Sequence, residues 1–113
     1  MGQPMVVIER VSGEVYLFSS LEDAEQYIEP IDVERQEYEA YDANGKPMLM
    51  ELVGPQETPS VRLTAIPNAA PQAEEVKGRL RTYFMQDRRW KADYDGAELS
   101  QIVRALLVGN ARL

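Results

Sequence analysis

Three stretches of the sequence hold residue types whose spacing could do chemistry. In DANGKPMLME, Asp42, Asn44, Gly45 and Glu51 fall at positions 3, 5, 6 and 12 of a twelve-residue calcium loop. Position 1 of that loop would be Ala40, and the flanks alternate like strands instead of repeating like helices. A hairpin turn accounts for the same residues. KADYDGAE departs further, because with Gly96 at position 6 the first position is Lys91 and the twelfth Ile102. The third is the carboxylate pair Glu37 and Glu39, which share a face if the segment is extended. Glycosidase-type acid–base work needs two carboxyls roughly 5–10 Å apart in a pocket, one of them desolvated. Nothing in the surrounding residues marks a pocket, and alternating charge is what a solvent-facing strand looks like.

Two absences narrow the chemistry further. The chain has no cysteine, so it has no disulfide, thiolate nucleophile or thiolate metal site. It has no histidine, which removes the usual general base near neutrality and the commonest transition-metal ligand. No glycine loop of the phosphate-cradling kind occurs. An enzyme would have to work with carboxylates, Lys or Tyr alone. We therefore expect a non-enzymatic protein with no catalytic residue, no metal and no cofactor.

What the sequence does hold is acid. In YIEPIDVERQEYEAYD, residues 27–42, Glu29, Asp32, Glu34, Glu37, Glu39 and Asp42 stand against the single basic Arg35. Residues 1–66 carry thirteen Asp/Glu against four Lys/Arg, a balance of −9, while residues 67–113 carry six against eight, +2, giving the net −7. An acidic front half repels phosphate backbones and anionic lipid, so neither nucleic acid nor a membrane is an expected partner. A cationic protein is, with faster encounter as the gain. Among Tyr27, Tyr38, Tyr41, Tyr83 and Trp90, the aromatic candidates for an interface, we expect Tyr83 and Trp90 in the core. Tyr38 and Tyr41 sit inside the acidic run. The expected partner-binding set is Glu29, Asp32, Glu34, Glu37, Tyr38, Glu39 and Tyr41, the alternative being that the run is only a solvated face.

The elements that must position these residues follow from period and punctuation. At 113 residues the chain is expected to be one domain, with an acidic β-rich part at 1–66 and a helical part at 71–108. MVVIERV and EVYLF read as a hairpin around Ser12-Gly13. SSLEDAEQYIEPI starts a helix at Ser20, with Asp23 reaching back, an apolar stripe of Leu21, Ala24 and Ile28, and a stop at Pro30. IDVERQ reads as a connection. EYEAY and PMLMELV flank a reversal at Asn44-Gly45, with Met48, Met50 and Leu52 on one face and Leu49, Glu51 and Val53 on the other. VRLTAI is a fifth strand. From Pro71 a helix runs with Val76, Leu80, Tyr83 and Phe84 inward. Asp95 is expected to cap a last helix, with Glu98 completing the box, Leu99, Ile102, Val103 and Leu106 inward, and Gly109-Asn110 ending it. The order ββαβββαα predicts an α+β fold, helices packed on a mainly antiparallel sheet of about five strands. No run of about 20 apolar residues occurs, and the start, MGQPMVVIERVSGE, lacks the pattern of a signal peptide; a cytoplasmic location is expected.

The string SLEDAEQYIEPIDVERQEYEAYDANGKPML, Ser20 to Leu49, resembles a stretch found in small bacterial proteins of similar length, of the immunity-protein type. The likeness is limited to those residues, and no functional motif comes with it, so no site residue is taken from it. What it implies is a direction: a partner of secreted antibacterial toxins. Together with the acidic charge, this favours an immunity protein that occludes a cationic toxin such as a nuclease. The alternative is an acidic secretion chaperone, a homodimer holding an effector against an apolar groove to which Met48, Leu49, Met50 and Val53 contribute. A small enzyme or metabolite-binding domain stands third.

Overall fold

The computed structural model describes residues 3–111. Five strands, all antiparallel in their pairings, are β1 (Met5–Glu9), β2 (Val15–Phe18), β3 (Tyr38–Asp42), β4 (Met48–Val53) and β5 (Ser60–Ala65). The helices are α1 (Leu21–Tyr27), α2 (Pro30–Glu34), α3 (Ala73–Gln86) and α4 (Leu99–Ala111), with a 3-10 turn at Ala92–Gly96. The chain is α+β, with helices packed on sheet, as expected. The strands, however, divide into a three-stranded sheet ordered β2-β1-β3 and a two-stranded sheet of β4 and β5.

The organising element is β1. MVVIE opens with four apolar residues in a row, the mark of a strand covered on both faces, and Met5, Val6, Val7 and Ile8 are all fully buried. Successive side chains point to opposite faces, so the strand feeds two cores. Val6 and Ile8 join Val76, Leu80 and Phe84 of α3 and Leu99, Ile102, Val103 and Leu106 of α4. Met5 and Val7 join Ala24 and Ile28 of the α1 segment with Val61 and Leu63 of β5. Tyr83 and Trp90 pack against the first core, as expected. Met48, Met50 and Leu52 pack against the second, with Leu49 exposed on the opposite face of β4.

Local chemistry explains the boundaries. Ser20 caps α1, its Oγ accepting from the Asp23 backbone N–H at 3.1 Å. Asp23 turns its carboxylate to the Ser19 hydroxyl at 3.3 Å. Pro30 does follow the end of α1, but it also occupies the first turn of α2, where its missing N–H costs nothing. The segment read as a connection is thus partly helical. Asp32 accepts from the Glu29 backbone N–H at 3.0 Å and so closes the helix start. The β1–β2 connection is wider than a two-residue turn: Glu9 and Glu14 close it, Gly13 donates to Glu9 at 2.9 Å, and Gly13 takes φ +78.

The C-terminal half needs three further corrections. Helix α3 starts at Ala73, two residues after Pro71. Asp95 does not cap α4. The first intrahelical bonds run from Gln101 and Ile102 to the Glu98 carbonyl, and the Gln101 side chain accepts from the Glu98 N–H at 3.1 Å. Asp95 instead accepts from the Trp90 indole and the Arg81 Nε, both at 3.0 Å, and these two bonds hold its carboxyl below the ordinary aspartate range. Lys77 donates to the backbone carbonyls of Asp95 and Ala97 at 2.8 Å, fastening the 3-10 turn to α3. Helix α4 continues through Gly109 and Asn110 rather than ending there.

Candidate functional site

The Asp42–Pro47 reversal brings β3 to β4, and its residues are consumed by the turn. Asp42 Oδ1 accepts from the Asn44 and Lys46 backbone N–H groups at 2.9 and 3.0 Å. Gly45 has φ +84, and its carbonyl accepts from the Gln72 N–H at 2.8 Å, which docks the turn on the start of α3. A Cβ at Gly45 would stand 2.7 Å from the Ala73 N and Cα. The residues that raised the calcium-loop reading therefore build a hairpin turn. Among the described residues no group of three or more carboxylates is placed to hold a metal.

Register decides where the acidic run points. Strand β3 pairs with β1 so that Glu9 faces Tyr38, Val7 faces Ala40 and Met5 faces Asp42. Strand β2 lies on the other side with Tyr16 opposite Val7 and Phe18 opposite Met5. Paired residues share a face. Tyr38, Tyr16, Phe18 and Glu9 therefore lie on the α1 side of the sheet, whereas Glu39 and Tyr41 lie on the α3 side.

On the α1 side the aromatic rings form a row. Tyr16 stacks obliquely on Tyr27 with centroids 5.2 Å apart and meets Tyr38 edge-on at 6.2 Å; Tyr27 reaches Phe18 at 5.3 Å. Such spacings are those of attractive ring pairs. Carboxylates surround the row. The Tyr16 hydroxyl donates to Glu14 at 2.9 Å, and Tyr38 lies within the fields of Asp32, Glu9 and Glu37. Burial, followed by the hydrogen bond to Glu14, raises the Tyr16 phenol well above its usual range. Burial and the neighbouring negative groups push Tyr38 up to about 12. Glu37 is held above the ordinary glutamate range chiefly by a hydrogen bond shared with the Asp32 carboxyl. Phenols raised in this way stay protonated near neutrality, so they donate hydrogen bonds and do not act as bases. A row of rings beside carboxylates is chemistry for holding an organic cation.

The seven expected residues are thus distributed unevenly. Asp32, Glu37 and Tyr38 converge. Glu29 and Glu34 are exposed at the two ends of α2. Glu39 and Tyr41 belong to the opposite face: the Tyr41 hydroxyl donates to Glu39 at 2.6 Å, and the ring, 6% exposed, is part of the first core. Tyr41 is a core residue and not a surface anchor, because alternation along β3 turns it towards α3. Sequence reasoning missed Tyr16, Phe18, Glu9 and Glu14. The pairing of MVVIE with EVYLF held part of the signal, since a register across that hairpin sets Tyr16 beside Val7.

A groove of about 480 Å³ runs between β3 and β4, lined by Val33, Tyr38, Glu39, Ala40, Met48 and Met50 among others. Among the described residues no helix is long and apolar enough to cross a membrane. Compared with protein families, curated proteins and solved structures, the chain finds no match in any of the three.

Proposed function

We propose that this chain is a non-enzymatic binding protein that grips a basic protein partner, in the manner of an immunity protein neutralising a cationic antibacterial toxin. The observation that carries the reading is the convergence of Asp32, Glu37, Glu9 and Glu14 on the Tyr16–Tyr27–Tyr38 row. Tyr27 is 45% exposed, so the row is reachable from outside. An Arg or Lys brought there meets ring faces and carboxylates together, and a desolvated charge pair of this kind slows dissociation. The charge imbalance of the chain follows its layers. Residues 1–66, at −9, supply both sheets, α1 and α2, while the remainder, at +2, supplies α3 and α4. A nuclease toxin must present positive charge to hold phosphate, and a blocker gains by matching it. The chaperone alternative would use the groove that Met48, Leu49 and Met50 line, but Met48 and Met50 also pack against the second core, and the surrounding carboxylates favour a basic partner over an apolar cargo.

The test is a pull-down from the native host with the immobilised chain, followed by calorimetry on the captured partner. The double substitution Glu34→Lys with Glu37→Lys should abolish capture while leaving the melting temperature nearly unchanged. Capture that survives the charge reversal, or that is insensitive to salt, would remove the basis of the reading.

A further inference from the structure

We infer that the groove between β3 and β4 receives an extended, net-basic segment of the partner, added as a strand along their open edges. The inference deepens the proposed function and rests on that reading for the partner's charge.

The backbone alternation places the docking groups. In an antiparallel pair, residues alternately direct their N–H and C=O groups towards and away from the neighbour. The Arg10 N–H donates to the Glu37 carbonyl at 2.9 Å, which turns Glu37, Glu39 and Tyr41 towards β1. Tyr38 and Ala40 therefore direct their backbone groups outward, towards β4. On the other wall, the Leu63 N–H points away from β4, because it donates to the Glu25 carboxylate at 2.8 Å. Leu63 is paired with Met50, so the Met50 backbone groups point away from β5, towards β3. The two edges meet once, at the Tyr41–Pro47 bridge, and then diverge into separate sheets.

The outer edge of the second sheet is treated differently. On β5, Glu25 of α1 covers the outward N–H of Leu63, a device that blunts an edge against added strands. Among the described residues no side chain makes the corresponding bond to the N–H of Tyr38, Ala40 or Met50. The groove between these edges has the size of a ligand site. Main-chain bonds to an open edge, with side chains chosen by alternate pockets, are the physics of strand addition.

Charge selects the occupant. Glu39 and Arg10 both line the groove, and Glu37 with Asp32 adds two further carboxylates beside Tyr38. Arg10 stands 4.0 Å from Glu39, a spacing that a partner cation can displace at little cost. A second copy would bring another net −7 to the same place and is disfavoured on that ground.

The test uses the full-length chain and two end-blocked synthetic peptides of alternating Lys and Val, one of them N-methylated at every second residue. Methylation keeps charge and side chains but removes the donors from one edge. The unmodified peptide should slow hydrogen exchange of the Tyr38, Ala40 and Met50 amides roughly ten-fold and should bind roughly ten-fold more tightly than the methylated one. Equal binding of the two peptides, with shifts confined to the Tyr16 and Glu37 amides, overturns strand addition and leaves the charge-based reading intact. Failure of both peptides to bind at low salt overturns both. Protection of the same amides that grows with protein concentration alone assigns the groove to a second copy and also overturns the proposal.

Discussion

Replacing Gly45 with alanine probes the contact on which the β3–β4 reversal depends. Two costs add there. The first is conformational, since φ +84 places an L-residue in the left-handed region, at about 1–2 kcal/mol. The second is steric, because the new Cβ would lie 2.7 Å from backbone atoms of Ala73, with no flexible side chain to yield. Relieving that overlap means moving the turn off the start of α3 and stretching the Gln72–Gly45 bond, an overpacking cost of about 1–3 kcal/mol. The sum, about 2–5 kcal/mol, is a large share of the ~5–15 kcal/mol that holds an ordinary domain together. Gly13 is the internal control. It has a similar φ of +78 but open space where the Cβ would go, so Gly13→Ala should cost only the conformational part. Urea denaturation followed by circular dichroism reads both variants at constant m-value. Equal losses for the two, or a loss at Gly45 below about 1 kcal/mol, would refute the claim that the turn is seated on the α3 backbone.

Further outcomes can be checked independently. Glu25→Ala uncovers the Leu63 amide and should cost about 1–2 kcal/mol, with Glu25→Gln losing less because it keeps an acceptor; urea denaturation and exchange of the Leu63 amide report both. Asp95, its pKa lowered by Trp90 and Arg81, contributes stability that is present above the unfolded aspartate pKa and lost as pH falls through the folded one. The resonance of the Trp90 indole N–H should therefore shift below the usual aspartate range, and Asp95→Asn should abolish that transition. Glu37 behaves oppositely: with its folded pKa raised, its contribution is fully present below the unfolded pKa and is lost as pH rises through the folded one. Asp32→Asn should return the Glu37 titration towards the ordinary range, as followed by carboxyl carbon shifts.

What was legible in the sequence was local. Alternation in PMLMELV assigns the correct faces of β4, Ser20 caps α1 as expected, and the four-residue spacing of Val76, Leu80 and Phe84 finds the buried side of α3. Elements too short to show a period were not legible. Helix α2 has five residues, and Pro30 reads equally well as the end of one helix or the start of the next. Asp95 followed by Gly96 and Glu98 imitates a cap because capping depends on which carbonyl accepts the first bond, a fact of geometry. The candidate site was half legible. Asp32, Glu37 and Tyr38 are neighbours in sequence, but the pairing of β1 with β3 across some thirty residues decides that Tyr38 faces Tyr16 and that Tyr41 does not. No turn residue specifies such a long-range register; the double burial of β1 does.

That double burial has a further consequence for how the molecule tolerates change. Val6 and Val7 are chain neighbours, yet each answers to a different set of helices. Inserting one residue between Val6 and Val7 would leave the composition of the strand almost untouched, but the side chains on one side of the insertion would be handed to the wrong half of the molecule. Evolution can therefore redecorate either exterior freely, while the five-residue partition between them admits neither gain nor loss of length.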